Sequence, residues 1–317
     1  MDDGILKLIV ARKSQLADDI VLFELRSPSG DDLPPFTAGS HITVTAPSGQ
    51  KRRYSLCNSP QERNRYVIAV KREDTGRGGS LSMTTKLSEG DEIESDRPAN
   101  EFEMSASEHR KNIFIAGGIG ITPIRAMILD CLEHGYNFQL YYLTRSPATT
   151  AFFDELSAPN LVDKVVIHHD NGDPNQAYDL WPILEQQHGA HLHCCGPRGL
   201  MDAVRDMTGH WSNGAVHFED FVGAMSNRPE DQPFTVKLAR SGKTYEVPAR
   251  TSILDTLRSY GYALASSCES GTCGTCRTRW LEGQPDHRDL VLSEAERKRE
   301  VMICVSRAHS SQLVLDI

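Results

Sequence analysis

The sequence of 317 residues has no apolar run near the roughly 18 residues that a membrane-spanning helix needs. It has no internal repeat and no low-complexity tract, and its beginning, MDDGILKLIV, lacks the features of a secretory signal peptide. Hydrophobic residues make up 39% and charged residues 24% of the chain, which excludes a wholly disordered protein. We therefore expect a cytoplasmic protein without a membrane partner.

Positive charge is scarce as well. The chain has 34 Lys and Arg residues against 43 Asp and Glu, a net charge of −9, which argues against a nucleic-acid partner. Basic and acidic residues number 14 and 17 in 1–107, 8 and 16 in 108–232, and 12 and 10 in 233–317. The net charges of these parts are therefore −3, −8 and +2, so the acidity belongs to the middle of the chain.

The first hundred residues alternate short apolar segments with turn residues. The pattern predicts strands near 20–25, 41–46, 53–56 and 66–71, separated by turn signals such as Ser29-Gly30. This rhythm is typical of a small antiparallel β-barrel.

From about residue 110 the pattern changes to strands that alternate with helices. We predict strands at 112–116, 138–144, 164–168 and 190–194, and helices at 123–134, 151–156, 179–187 and 200–208. Such alternation predicts a parallel sheet with crossover helices.

A polar, proline-containing segment, AMSNRPEDQP, then predicts a linker. Beyond it, a hairpin signal at Ser241-Gly242, a helix at 252–260 and strands at 277–281, 301–305 and 313–316 indicate a small α+β module. The predicted protein is thus multidomain, with boundaries at 1–107, 108–223, 224–232 for the linker, and 233–317.

Four of the eight cysteines form a group with a distinctive spacing. Four residues separate Cys268 from Cys273, two separate Cys273 from Cys276, and 27 separate Cys276 from Cys304. This matches the plant-type [2Fe–2S] ligand pattern, in which four thiolates hold two irons. The alternative is a structural zinc site, which more often shows two C-x2-C pairs.

Two short segments in the predicted barrel are candidates for binding a flavin. Arg52, Tyr54 and Ser55 supply a cation for a phosphate, an aromatic face and a small donor near a flavin ring. Gly78-Gly79-Ser80 can surround a phosphate with N–H groups. By itself the tetrapeptide is also compatible with an ordinary edge strand.

A glycine-rich turn follows the strand at 112–116. It reads Gly117-Gly118-Ile119-Gly120-Ile121-Thr122-Pro123 and lets a pyrophosphate approach the positive end of a helix. Cys195-Gly196-Pro197 follows a later strand, at the edge where open α/β sheets bind ligands. The alternatives are a tight connection for the glycine turn and a buried small side chain for Cys195.

Taken in order, these motifs resemble the phthalate dioxygenase reductase family. The resemblance rests on Arg52-x-Tyr54-Ser55, Gly118-x-Gly120-x-x-Pro123, Cys195-Gly196-Pro197 and the four cysteines, and it covers essentially the whole chain. It implies a flavin barrel, a nucleotide-binding α/β domain and a carboxy-terminal β-grasp ferredoxin domain. It also implies three cofactors, which are FMN, NADH and a [2Fe–2S] cluster.

The resemblance also implies roles for particular residues. Phe221, in the run HFEDF, is expected against the flavin ring, with core packing as its alternative. Arg145 lies where related enzymes choose between NADH and NADPH, and we expect NADH. Ser55, Thr122 and Cys195 are expected at the reacting atoms. The implied flavin residues are Arg52, Arg53, Tyr54, Ser55, Ala69, Val70, Lys71, Gly78, Gly79, Ser80, Thr122 and Phe221; the nucleotide residues are Gly118, Gly120, Pro123, Arg145, Cys195, Gly196 and Pro197; the cluster ligands are Cys268, Cys273, Cys276 and Cys304.

The implied function is that of the reductase component of a Rieske-type oxygenase system. Hydride passes from NADH to FMN, and single electrons pass through the cluster to a separate terminal oxygenase. Because the last module is slightly basic, we expect its docking surface to be apolar or only locally charged. We expect a monomer. The alternatives are a reductase for another acceptor protein, a zinc-binding adaptor and a flavin-containing redox sensor.

Overall fold

The computed structural model describes residues 5–74, 78–104, 111–212, 214–221, 230–266, 271, 274–289 and 291–317. The chain forms two compact units, residues 1–219 and 220–317. The first contains an antiparallel barrel and a parallel sheet, and the second contains a small mixed sheet.

The barrel consists of strands that pair only in antiparallel fashion. They are β1 (Ile5–Ala17), β2 (Ile20–Arg26), β3 (Ser40–Thr45), β4 (Lys51–Ser55), β5 (Tyr66–Lys71), β6 (Glu92–Asp96) and β7 (Ala99–Asn100), with helix α1 (Gly79–Lys86) after β5. Their order is β4-β3-β6-β1-β2-β5, and β7 pairs with β3. Just beyond β4, the Cys57 N–H donates to the Val67 carbonyl of β5 at 2.9 Å. This bond joins the two ends of the strand order around a buried core that includes Phe23 and Ile42.

Five parallel strands follow, as the alternating pattern predicts. They are β8 (Asn112–Gly117), β9 (Phe138–Thr144), β10 (Val165–His169), β11 (His191–Cys195) and β12 (Val216–Glu219), in the order β10-β9-β8-β11-β12. Every residue of the central strand β8 is buried, as is usual for a strand covered on both faces. The helices are α2 (Ile121–His134), α3 (Phe153–Leu156), α4 (Trp181–Leu184) and α5 (Arg198–Met207). Helices α3 and α4 are single turns, shorter than the sequence predicted.

The second unit is a mixed sheet with one side covered by a helix. Its elements are β13 (Phe234–Leu238), β14 (Thr244–Val247), α6 (Ile253–Ser259), β15 (Arg277–Glu282), β16 (Pro285–Asp286), α7 (Glu294–Arg297), β17 (Glu300–Met302), β18 (Arg307–Ala308) and β19 (Gln312–Leu315). The order is β14-β13-β19-β15-β17, in which β13 and β19 are parallel, while β16 and β18 form a separate pair. The Ser252 side chain caps α6 by accepting from the Asp255 N–H. Nowhere in the described ranges is a helix long and apolar enough to cross a bilayer.

The segment predicted as a linker ends in a buried ionic network. Residues 224–229 lie outside the described residues, but the side chain of Asp231 is only 4% exposed. Arg288 donates to both carboxylate oxygens of Asp231, at 2.6 and 2.9 Å, and also to Asp286. Arg307 lies 3.7 Å from the same carboxylate. Asp231 therefore packs into the second unit.

Candidate functional site

Strand β4 carries the residues predicted to bind a flavin. Arg52 pairs with Val44 and Tyr54 with Ile42 on β3, so Arg52 and Tyr54 share one face of the strand. Ser55, at the end of β4, is buried. The Tyr54 hydroxyl is buried and has no hydrogen-bond partner among the described residues, and burial raises the pKa of this phenol to about 12. A flavin that accepted or donated a hydrogen bond at this hydroxyl would satisfy it, so Tyr54 fits a flavin site.

The start of helix α1 lies against Arg52. Gly78 precedes the helix in the left-handed region, with φ of 84°, and no side chain caps the first turn. A Cβ atom at Gly79 would lie 2.5 Å from the Arg52 Nε atom, so the glycine gives the guanidinium room. The Ser80 hydroxyl accepts from the Glu73 N–H at 3.1 Å. Uncapped N–H groups beside a guanidinium favour an anion, and these residues fit a flavin phosphate.

The next predicted flavin residues lie on β5 and divide between its two faces. Ala69 belongs to the buried cluster that also contains Ala116 and Cys195, whereas Val70 points into the barrel core. Lys71 is exposed and pairs with Glu73 at 3.2 Å. Because Val70 is fully buried, only its backbone is available to a ligand.

The two nucleotide segments meet through glycines. A Cβ atom at Gly120 would lie 2.1 Å from the Cys195 carbonyl oxygen, and one at Gly117 would lie 2.5 Å from Pro197 Cδ. A Cβ atom at Gly196 would lie 2.9 Å from the Gly117 backbone. The glycine turn after β8 therefore packs backbone to backbone against the turn after β11. These turns follow adjacent strands of the parallel sheet, at the edge where such sheets bind ligands.

Helix α2 begins directly after this glycine turn. Gly118 has φ of 53°, and Gly120, which has no side chain, occupies the N-cap position of the helix. The N–H of Ile121, the first helical residue, donates to the Gly118 carbonyl, so the turn itself satisfies this group. Thr122 is buried, and its hydroxyl donates to the Ile119 carbonyl at 3.0 Å. Pro123 lies in the first turn, where a missing N–H costs nothing. The arrangement suits the pyrophosphate of a dinucleotide.

Cys195 and Arg145 differ in their surroundings. Cys195 is completely buried at the end of β11 and packs in the cluster that contains Ala69 of the barrel. Arg145 follows β9 and is exposed. Its position leaves the guanidinium accessible to a nucleotide.

A carboxylate that the sequence analysis did not single out joins this region. The Ser55 hydroxyl donates to Glu219 Oε2 at 3.4 Å, which connects the end of β4 to the end of β12. Burial raises the pKa of Glu219 to about 8, although the nearby Arg53 charge and the Ser55 hydrogen bond act in the opposite direction. The sequence does contain an indication of this role, because Glu219 lies in the run HFEDF at the carboxyl end of a parallel strand, where such sheets bind ligands.

A second missed residue, Arg125 on α2, connects the barrel to the parallel sheet. Its guanidinium donates to the Cys57 carbonyl beyond β4. It also donates to the Glu155 carboxylate on α3, at 2.8 Å from Nη2 to Oε2. It also lies over the Phe152 ring, 4.5 Å from the centroid. Arg125 therefore holds the segment that follows β4 against the nucleotide-binding part of the first unit.

Phe221, the residue expected against the flavin ring, is 41% exposed. This exposure does not agree with the alternative in which Phe221 packs in a core.

The second unit contains the predicted cluster ligands. Cys276 and Cys304 are each 3% exposed and belong to one buried cluster. Gly271 and Gly274 have φ of 77° and 83°, so the loop bends through conformations that favour glycine. Cys268 and Cys273 lie outside the described residues. One buried thiol at the end of a glycine-containing loop and a second after β17 fit two of the ligands of a [2Fe–2S] cluster.

Comparisons with known proteins agree with this geometry. Residues 7–104 match the oxidoreductase FAD-binding domain family, and residues 236–309 match the 2Fe-2S iron-sulfur cluster binding domain family. The chain is 52% identical to phthalate dioxygenase reductase of Burkholderia cepacia, covering 100% of this chain and 98% of that protein. It is 51% identical to the phthalate 4,5-dioxygenase oxygenase reductase subunit of Pseudomonas putida, with the same coverage.

Solved structures show the same relationship. Phthalate dioxygenase reductase, solved as a modular structure for electron transfer from pyridine nucleotides to [2Fe–2S], superimposes with a TM-score of 0.87 at 52% identity and covers 100% of this chain and 99% of that one. An intact type IV self-sufficient cytochrome P450 monooxygenase gives 0.74 at 34% identity, covering 99% of this chain and 41% of that one.

The fold and the sites define a flavin- and iron–sulfur-dependent oxidoreductase. More particularly, the chain belongs to the phthalate dioxygenase reductase family. The predicted multidomain architecture is confirmed, with a flavin-binding domain, a parallel-sheet nucleotide domain and a ferredoxin domain. The match to the 2Fe-2S family favours the cluster over the zinc alternative.

Proposed function

We propose that this protein takes hydride from NADH onto FMN and passes single electrons through its [2Fe–2S] cluster to a separate terminal oxygenase. The observation that carries the proposal is the hydrogen bond from Ser55 to Glu219 at 3.4 Å. It brings the flavin segment of the barrel to the carboxyl edge of the nucleotide-binding sheet within one compact unit. Hydride transfer needs the two cofactor sites to meet in this way.

The choice of FMN over FAD is supported by the charge at α1. A terminal phosphate monoester carries about −1.5 to −2 at neutral pH, more than either linking phosphate of FAD carries. Arg52 lies against Gly79 at the start of α1, and a cation beside a helix start suits a compact and strongly anionic group. The family that residues 7–104 match is named for FAD, and identifying the acid-released flavin decides between FMN and FAD.

The protein contributes mainly binding and orientation, because the cofactors supply the transfer of hydride and of single electrons. Arg52 would hold the flavin phosphate, and Tyr54 and Ser55 would contact the ring system. Thr122 would face the flavin from α2, and Phe221 would cover the ring. The glycine turn with Pro123, together with Cys195, Gly196 and Pro197, would hold the dinucleotide, with Cys195 beside the nicotinamide.

NADH is proposed as the electron donor. The structure described above for phthalate dioxygenase reductase concerns electron transfer from pyridine nucleotides, which supports a donor of this class. Arg145 is exposed after β9, where it can also contact a 2′-phosphate. Comparing kcat/KM for NADH and NADPH tests this choice, and a preference for NADPH would contradict it.

The proposed acceptor is a Rieske-type terminal oxygenase. The names of the phthalate relatives, which are reductases of dioxygenases, support an oxygenase as the acceptor. A second candidate acceptor is a cytochrome P450, because this chain aligns over 99% of its length with part of the self-sufficient monooxygenase. We further propose domains at 1–107, 108–223 and 233–317 joined by a linker at 224–232, a cytoplasmic location and a monomeric state.

The first experiment is an anaerobic titration of the purified protein with NADH, followed in the visible spectrum. We expect flavin bands and a broad iron–sulfur shoulder that both bleach, and release of FMN on acid treatment. Ser55→Ala should slow flavin reduction roughly a hundredfold, whereas Ser29→Ala, at an exposed turn, should leave the rate unchanged. A protein with zinc and without flavin would overturn the proposal.

A further inference from the structure

One groove of the second unit combines a cluster ligand with several cations. It has a volume of about 410 Å³, and Arg240, Arg277, Arg279, Cys276 and Asp316 all line it. We call it the arginine groove. Because Cys276 lines it, a partner that binds there contacts the segment that carries one of the predicted cluster ligands.

The cations reach the groove from two segments on either side of β19. Arg277 and Arg279 are two residues apart on β15, so their side chains leave the same face of the strand. Arg240 lies beyond the end of β13, and β19 separates β13 from β15 in the sheet. The Asp316 N–H donates to the Arg279 carbonyl at 2.9 Å, which holds the chain after β19 against β15. The sheet itself therefore sets the spacing of the three guanidinium groups.

The charges in the groove are only partly compensated. Asp316 pairs with Arg240 at 3.2 Å, and Glu296 pairs with Arg277 at 3.0 Å. Among the described residues no carboxylate is paired with Arg279. All three arginines are exposed, and the half-buried side chains of Leu264 and Ile317 supply apolar surface to the same lining. Apolar surface with charged residues around it is the usual composition of a protein–protein interface.

We propose that the arginine groove is where this reductase receives an acidic surface of its electron-accepting partner. This inference rests on the function proposed above and identifies the docking site for it. The remainder of the chain is acidic, with a net charge of −8 in residues 108–232 alone, and repels an acidic protein. The groove is therefore a local positive site on a negative molecule, and it favours approach of the partner beside Cys276.

The test measures binding of the intact holoprotein to the oxygenase component of the Pseudomonas putida phthalate 4,5-dioxygenase system, immobilised for surface plasmon resonance. We compare wild type with Arg277→Glu and Arg279→Glu. The matched control is Lys298→Glu, an exposed cation of the same unit that does not line the groove. Reduction of flavin and cluster by NADH is followed in each preparation by stopped-flow absorbance.

At low ionic strength, Arg279→Glu and Arg277→Glu should weaken binding roughly tenfold and reduce its salt dependence, while Lys298→Glu changes it less than about twofold. Reduction of flavin and cluster should remain at wild-type rates. An equal loss of affinity in all three variants, or no loss in any of them, would show that the arginine groove is not the docking site. The proposed function would remain intact. If wild type reduces its own cofactors but does not bind the oxygenase, the acceptor proposed above is wrong and the groove proposal falls with it.

Discussion

Ser55 and Glu219 are 164 residues apart in the sequence, and the Ser55 hydroxyl donates to the Glu219 carboxyl group at 3.4 Å. The first ends a strand of the barrel and the second ends a strand of the parallel sheet. This contact places a carboxyl group with a pKa of about 8 beside the serine expected at the flavin. At neutral pH the group is therefore mainly protonated and adds little negative charge to the site.

The raised pKa of Glu219 predicts how its replacement affects stability. An unfolded glutamate loses its proton near pH 4.5 and the folded one near 8, so the folded state retains a proton that the unfolded state releases. The folded state therefore loses stability as the pH rises through this window. Glu219→Gln removes the effect, and its gain in Tm over wild type should be larger at about pH 9 than at about pH 5. Thermal unfolding followed by circular dichroism gives the Tm values, and Glu94→Gln, at an exposed position on β6, is the control substitution. An equal gain in Tm for Glu219→Gln at both pH values would contradict the prediction.

Gly120 has no room for a side chain, which predicts a large effect from a single methyl group. The Cβ atom of Gly120→Ala would lie 2.1 Å from the Cys195 carbonyl oxygen, and backbone cannot yield as a flexible side chain can. We expect about 3 kcal/mol less stability and a higher KM for NADH. Gly199→Ala in α5 is the matched control, since nothing lies within 4 Å of its added Cβ atom. Chemical denaturation compares the unfolding free energies of Gly120→Ala and Gly199→Ala. Equal values would show that the glycine turn after β8 shifts to make room for the methyl group.

Much of this architecture follows from local pattern, but some elements and contacts do not. The buried run of β8 and the spacing of the cysteines predict a parallel sheet and a cluster loop. Strand β1 escaped prediction because only Leu8 and Val10 among its 13 residues are buried, which removes the alternation. Helix α1, with sequence GSLSMTTK, contains few strong helix formers and lacks a side-chain cap. The Ser55–Glu219 and Arg125–Cys57 contacts join distant segments, so only tertiary packing reveals them.

His193 predicts sensitivity of the first unit to acid. Its ring lies 4.6 Å from the stacked His217 ring, which also stacks with His191 at 5.8 Å. The His193 ring also contacts the rings of Phe102 and Phe114. Burial lowers its pKa to about 3, and the neighbouring histidines act in the same direction. In the unfolded chain His193 binds a proton near pH 6.5, whereas in the folded chain it stays neutral until about pH 3. The free energy of unfolding therefore falls as the pH drops from 6.5 towards 3.

The corresponding experiment replaces His193 with phenylalanine and measures unfolding free energy between about pH 7 and pH 4. One such group contributes about 1.4 kcal/mol of unfolding free energy per pH unit, so this dependence on pH should be smaller in His193→Phe. The variant loses the hydrogen bond to the Glu103 carbonyl and should therefore also be less stable overall. His210→Phe, at an exposed position, is the control for replacing a histidine with phenylalanine. An unchanged slope in His193→Phe would assign the acid sensitivity to other groups.

The ionic network at Asp231 predicts an unequal response to two similar substitutions in the second unit. Asp231→Ala leaves Arg288 and Arg307, whose side chains are 4% and 3% exposed, without the carboxylate between them. Removing one partner from a buried ion pair costs about 3–5 kcal/mol. Asp316→Ala breaks the pair with Arg240, whose side chain is 73% exposed, and should cost less than about 1 kcal/mol. Loss of the iron–sulfur absorbance during urea unfolding of the full chain reports on this unit; similar midpoints for the two variants would mean that water or a rearranged side chain replaces Asp231.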